Sequence, residues 1–267
     1  MSPLQAALLG ALQGFTEFLP ISSSAHLYVV PTLLGWSYAG LAFDVALHWG
    51  TLLALLLAFG RDWFALARAA IAGPLPERRI ARATWAKLVA ASVPAAVAGL
   101  LLEEHAEVLL RSLPLQAAML ALFGFLLWWV DRSRPSAPAP SSPLELPGLG
   151  ICLLVGSAQA LALVPGVSRS GVTITAGRAF GLGRVEAARL SFLLATPITF
   201  GAGLVELRHL SPDLPLSTLG IGIATAALTG FLAIRGLLRW LNRAGFGVFF
   251  AYRALLALLI LLVSSRS

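Results

Sequence analysis

Six stretches of this chain are apolar for long enough to cross a bilayer, whose hydrocarbon core takes roughly 17 to 25 helical residues. They run at about 40–60, 87–103, 115–131, 188–206, 217–236 and 246–263. A water-soluble fold that buried them all would still need a charged exterior. Only 12% of the residues are charged, against about 25% in soluble domains. Such a chain is expected to be an all-α polytopic membrane protein in contact with membrane lipids.

Two further apolar segments, 4–35 and 148–182, differ from the six because each is interrupted, the first by QGFTEFLPISSSAH and the second by VPGVSRSG. Proline, glycine and serine at these points break a continuous helix. Broken backbone at membrane depth is tolerated only when buried in protein or lining a wet cavity, so both segments read as re-entrant helix hairpins. They also resemble each other. Gln13 stands nine residues before Ser22, Ser23 and Ser24, and Gln159 stands nine before Ser168, Arg169 and Ser170, with Pro20 and Pro165 between. The expected architecture is six transmembrane helices plus two re-entrant hairpins in an inverted repeat. Residues 1–131 form the first half, the Pro/Ser-rich stretch 132–147 a linker and 148–267 the second half of a single membrane domain.

The net charge of +7 does not point to nucleic acid, because the basic residues are spread singly between apolar segments rather than gathered with aromatics. They read as topology signals. One arrangement puts Arg61, Arg68, Arg78, Arg79, Arg82, Lys87, Arg132, Arg134, Arg178, Arg184, Arg189, Arg235, Arg239 and Arg243 inside, leaving Arg111, Arg208 and Arg266 outside. Both termini then face outward, and the hairpins enter from opposite sides. The first basic residue is Arg61, so no basic region of a cleaved signal peptide precedes the first apolar run, and residue 1 is expected in the mature protein. The single cysteine, Cys152, excludes a disulfide framework within one chain.

Glu17 lies inside an apolar segment, where an ionisable group costs several kcal/mol unless paired or wet; such a residue is a functional candidate by default. Gln13, four residues earlier, shares its helix face. After Pro20 come Ser22, Ser23 and Ser24, then His26, so a carboxylate, a candidate nucleophile and an imidazole meet at one helix break. At the other break stands Arg169, flanked by Ser168, Ser170, Gly171 and Thr173. A guanidinium offers bidentate donors suited to phosphate, glycine lets backbone amides approach the same anion, and helix N-termini add positive dipole.

These two motifs, QGFTEFLPISSSAH and PGVSRSG, resemble the signatures of bacterial undecaprenyl-pyrophosphate phosphatases, the intramembrane family first associated with bacitracin resistance, and the hydrophobic layout is similar from end to end. The resemblance implies hydrolysis of undecaprenyl diphosphate, a polyprenyl diphosphate lipid, to undecaprenyl phosphate and inorganic phosphate, recycling the carrier of cell-wall synthesis at the bacterial cytoplasmic (inner) membrane. It also implies a site open to the outer face and a divalent cation, Mg²⁺ or Ca²⁺. Residue by residue it assigns Gln13 and Glu17 to the metal-binding element, Ser22, Ser23 and His26 to hydroxyl and imidazole roles, and Ser168, Arg169, Ser170 and Thr173 to the phosphate loop. Two positions depart from the pattern: Gln13 stands where many members have Glu, and Ala25 where Gly is frequent.

In the expected mechanism Ser23 attacks the terminal phosphorus with His26 as general base and Glu17 near the cation; attack by water activated by His26 fits the sequence equally. Arg169, with Ser168, Ser170, Gly171, Thr173 and Ser22, binds phosphate. A lipid-phosphate transporter or flippase is the alternative, since broken helices in inverted repeats are also transporter architecture. Asp44 and His48, four apart in the first span, could reach the same cavity or face the interface. Glu103, Glu104, His105 and Glu107 read as a solvated loop face. A homodimer is compatible with such a chain.

Overall fold

A computed structural model describes residues 1–36, 40–110, 112–135, 145–206 and 215–264, with the backbone alone at 41–42, 103–110 and 206. Its described elements are all helical: α1 (Pro3–Phe18), α2 (Ser23–Leu33), α3 (Leu41–Ala58), α4 (Gly60–Ala72), α5 (Leu75–Leu110), α6 (Leu113–Ser133), α7 (Leu149–Ala158), α8 (Arg169–Ala179), α9 (Arg184–Glu206), α10 (Leu216–Leu241) and α11 (Gly247–Ser264), with a 3-10 turn at Gln159–Leu163 after α7. Among them α5, α6, α9, α10 and α11 are long and apolar enough to cross a membrane, and α3 with α4, bent by 67°, makes a sixth if taken as one span. The chain is an all-α polytopic membrane protein. The acidic cluster at Glu103 to Glu107 and the basic residues Arg111, Arg208 and Arg266 lie outside the described side chains, as does most of the linker.

Helix α5, which holds the second apolar run, begins earlier than that run. Residues 75–86 continue α5 because their inner face is apolar: Ala81 packs with Leu66 and Ala69 of α4, and Trp63 meets Trp85 at 5.4 Å between ring centres. Arg79 and Arg82 stay exposed on the outer face.

Both interrupted segments break for the same local reason. A residue before proline is pushed out of the α region, and Leu19 (φ −70°, ψ 140°) before Pro20 and Val164 (φ −80°, ψ 120°) before Pro165 are both extended. Each break then enters its second helix through a serine in left-handed backbone, Ser22 at φ 73° and Ser168 at φ 72°, the only non-glycine residues with positive φ among those described. Such conformations cost roughly 1–3 kcal/mol and persist where the surroundings fix them.

Packing ties each hairpin to a helix on the far side of the linker: α1 lies along α10, and α7 along α5. Gly10 and Gly14 let α1 approach so closely that a Cβ at either would strike Thr225, Gly222, Thr229 or Ala226 of α10. Small residues four apart give this close backbone approach without help from the hydrophobic effect, which lipid cancels. Gly156 of α7 likewise lies against the Ala91 carbonyl of α5. Thr229 Oγ1 donates across the first contact to the Ala11 carbonyl at 3.2 Å.

Charged contacts join residues that the charge count puts on one face. Arg189 pairs with Asp62 at 3.3 Å, and Asp131 at the end of α6 takes both Arg178 (2.9 Å) and Arg184 (2.8 Å). Arg178 is buried and serves as a structural tie between α8 and the end of α6.

Candidate active site

The two breaks touch. Ser170 Oγ donates to the Leu19 carbonyl at 3.2 Å, and Arg169, first residue of α8, reaches Glu17 on α1, where its Nη2 donates to Oε1 at 2.7 Å. Glu17 is 6% exposed, and this pairing offsets much of the cost of holding a carboxylate in an apolar bundle. Its other oxygen, Oε2, accepts from Ser23 Oγ at 2.5 Å and from Gln13 Nε2 at 3.2 Å, with His48 Nε2 at 3.7 Å. The spacing of Gln13 and Glu17 on one helix face is realised as a direct hydrogen bond.

Two buried atoms here have no hydrogen-bond partner: Arg169 Nη1 and Gln13 Oε1. An orphaned guanidinium nitrogen beside a paired one is a donor held ready for an anion, since leaving it unmet costs roughly 1–3 kcal/mol or more.

His26 is placed differently from what its position beside Ser23 suggests. Its Nδ1 lies 2.6 Å from the Ser22 carbonyl, which can only accept, so Nδ1 carries the proton; Nε2 then takes the Tyr252 hydroxyl at 2.6 Å, and the rings stack 5.6 Å apart. Both ring nitrogens are engaged, and the group in contact with the Ser23 hydroxyl is Glu17.

The remaining residues of the second break brace the loop. Ser168 Oγ accepts from the Gly171 amide at 3.2 Å and lies 3.3 Å from Ser170 Oγ, as Ser22 Oγ lies 3.2 Å from Ser24 Oγ. Thr173 Oγ1 donates to the Arg169 carbonyl at 2.7 Å and contacts Ser191 Oγ at 2.7 Å, holding α8 to α9. Gly171 gives its amide to Ser168 rather than to an anion, and its missing Cβ makes room for Arg253: an added Cβ would sit 2.9 Å from Nη1.

Arg253, on α11, is 0% exposed and joins the two breaks. It donates to the carbonyls of Pro20 (3.2 Å) in the first and of Gly166 (2.8 Å) and Val167 (3.1 Å) in the second, and to Leu120 (2.9 Å) and Met119 (3.2 Å) of α6.

Comparison with known proteins places the chain in a family. Residues 6–259 match the family described as bacitracin resistance protein BacA. The chain is 46% identical over 267 residues to an undecaprenyl-diphosphatase of Pelotomaculum thermopropionicum, covering 99% of this chain and 98% of that one. It is 47% identical over 262 residues to the undecaprenyl-diphosphatase of Trichlorobacter lovleyi, covering 95% and 94%. The chain belongs to the bacitracin resistance protein family.

In this family member the sequence motifs account for Gln13, Glu17, Ser22, Ser23, His26 and the 168–173 loop, which the fold brings together. They miss Tyr252 and Arg253, and they leave His48 undecided. Arg253 carried a signal: it is a lone arginine within the apolar run 246–263, as unusual there as Glu17 is in its own segment. Tyr252 and Ser191 carried none, being ordinary residues in apolar helices.

Proposed function

We infer that this membrane protein is an undecaprenyl-diphosphate phosphatase, hydrolysing undecaprenyl diphosphate to undecaprenyl phosphate and inorganic phosphate and so returning the lipid carrier to cell-wall synthesis. The observation that carries the chemistry is the Ser23 hydroxyl 2.5 Å from a carboxylate whose other oxygen is held by Arg169. Arg169 Nη1 and the N-termini of α2 and α8 bind the diphosphate. Ser23 Oγ attacks the terminal phosphorus, giving its proton to Glu17 Oε2. The Oγ–P bond forms as the bridging P–O bond breaks, and undecaprenyl phosphate leaves with that electron pair. Water then attacks the seryl phosphate; the Oγ–P bond breaks as Glu17 returns its proton to Oγ, and both protons of the water leave with the phosphate. His26 fixes the Ser22 carbonyl, and with it the left-handed turn that aims Ser23.

Glu17 and Gln13 would hold a divalent cation, Mg²⁺ or Ca²⁺, which when bound supplies positive charge to the phosphoryl oxygens. The residues fit one: Gln13 Oε1 is a buried acceptor without a partner beside the Glu17 carboxylate, and two protein oxygens leave the rest of the shell to substrate and water. A flippase needs an anion site but no hydroxyl on a carboxylate, so the Ser23–Glu17 pair favours hydrolysis.

Phosphate release from undecaprenyl diphosphate by purified protein tests this reading. Ser23→Ala is expected to lose at least a hundredfold in rate; unchanged turnover would transfer the attack to water. The site is proposed to face outward from the bacterial inner membrane, on the charge asymmetry of the loops. In a Cys152→Ala background, Leu34→Cys should then react with an impermeant thiol reagent on intact cells and Arg79→Cys only after the membrane is opened. The reverse labelling would invert the topology and leave the chemistry standing.

A further inference from the structure

Helix α4 combines a filled protein side with an apolar face left open. It turns 67° from α3 at Phe59, and α3 alone, with 18 residues, reaches about 27 Å, most of the roughly 30 Å hydrocarbon core. A helix turned so far from a spanning one runs closer to the membrane plane than to its normal, at the surface onto which α3 opens. On the protein side Leu66 and Ala69 are buried against Ala81 of α5, and Trp63 meets Trp85. Asp62 pairs there with Arg189 of α9, and Arg82 Nε donates to the Ala70 carbonyl at 3.0 Å. On the other side Phe64 is 69% and Ile71 76% exposed. They stand seven residues apart, two turns along one helix face. Arg61 and Arg68, both exposed and also seven apart, form a parallel stripe beside them.

We propose that α4 is an interfacial helix that binds anionic phospholipid headgroups, with Phe64 and Ile71 in the acyl region and Arg61 and Arg68 on the phosphates. Facing water, those two apolar side chains would stay unburied; laid in the interface, they are covered by lipid tails. The arginine stripe lies about 60° around the helix from the apolar one at 3.6 residues per turn. From that flank a guanidinium rises to headgroup level while its stem stays on the apolar side. Charge selects the lipid. Between residues 60 and 86 stand Arg61, Arg68, Arg78, Arg79 and Arg82 against Asp62 and Glu77, and Asp62 is already paired. Such an excess favours a net negative headgroup by roughly fivefold per arginine near the surface and gives a zwitterionic one little advantage. A second copy of the chain fits the stripe less well. A shared apolar face would bring the same arginines opposite one another across a two-fold axis.

Fluorescence quenching in the full-length protein reads which lipid lies at α4. Ile71→Cys in a Cys152→Ala background carries a thiol-linked fluorophore, and the protein is placed in vesicles of equimolar phosphatidylglycerol and phosphatidylcholine. One lipid or the other is supplied with brominated acyl chains, which quench only at close range. Brominated phosphatidylglycerol is expected to quench more strongly than brominated phosphatidylcholine, and Arg61→Gln combined with Arg68→Gln should lower that preference by roughly fivefold or more. A label at Leu255→Cys, 68% exposed on α11, should show no change when the two arginines are replaced. Arg68→Gln alone, with part of the loss, serves should the double variant fail to fold, judged by gel filtration. Equal quenching by the two lipids, or a preference that survives the variants, overturns the proposal. Quenching by neither lipid overturns it as well, and energy transfer between labelled copies in its place would assign the stripe to a second copy of the chain.

Discussion

One constant offset carries Gln13 onto Gln159, Ser22 onto Ser168, Ser23 onto Arg169, Ser24 onto Ser170 and Ala25 onto Gly171, so the two breaks can be compared position by position. Their backbones agree: an extended residue before proline, then a left-handed serine capping a helix. Their chemistry does not. The position after the left-handed serine bears a hydroxyl in one break and a guanidinium in the other, and the carboxylate that both contact belongs only to the first, where the matching residue of the second is Leu163. A repeated turn supplies the geometry, and divergence at single positions sets a hydroxyl on the carboxylate from one break and a guanidinium from the other.

The largest expected effect tests this division. Arg169→Ala should lose roughly a hundred- to a thousandfold in turnover of undecaprenyl diphosphate, and Glu17→Gln a comparable factor, with Arg169→Lys recovering only part because an ammonium lacks the paired donors. If Glu17→Gln retained near-normal rates while Arg169→Ala did not, the first break would contribute a turn and no chemistry.

Next comes the residue the breaks share. Arg253→Met should lower stability by about 3 kcal/mol or more, read as a fall in unfolding temperature in detergent, because buried carbonyls in both loops lose their donor. A variant of wild-type stability would show that the breaks hold their shape independently.

The smallest effect distinguishes Ala25 from Gly171. Gly171→Ala pushes a methyl against Arg253 and should destabilise by roughly 1–3 kcal/mol, whereas Ala25→Gly should cost only about 0.5–1 kcal/mol from added backbone freedom in a helix. Equal costs would mean that Arg253 is as close to one break as to the other.

Most of the architecture was legible because lipid permits so few solutions: apolar length marks the spans, and proline with serine marks the breaks. Glu17 and Arg169 were legible for the same reason, a lone charge in an apolar run being hard to explain otherwise. The pairing of Ser23 with Glu17 rather than with His26 was not, since neighbours in sequence at a helix start point in different directions. The pairing of Arg178 was not legible either, because a charge near a loop looks the same whether it meets water or, as here, Asp131. His48 was visible as a residue but not as a member of the site, since its distance to Glu17 depends on how α3 leans on α1.

Arg253 and Tyr252 also bear on the order in which the molecule is made. Both sit on α11, which leaves the ribosome after every other helix described, yet one holds the carbonyls of both loops and the other holds His26. Until α11 enters the membrane, a nascent chain already carrying Glu17, Ser23 and Arg169 lacks the Arg253 donors for those carbonyls and the Tyr252 partner for Nε2 of that imidazole. The site is thus completed only once α11 is in place, and a chain cut short before Gly247 would present both motifs without the means to set them.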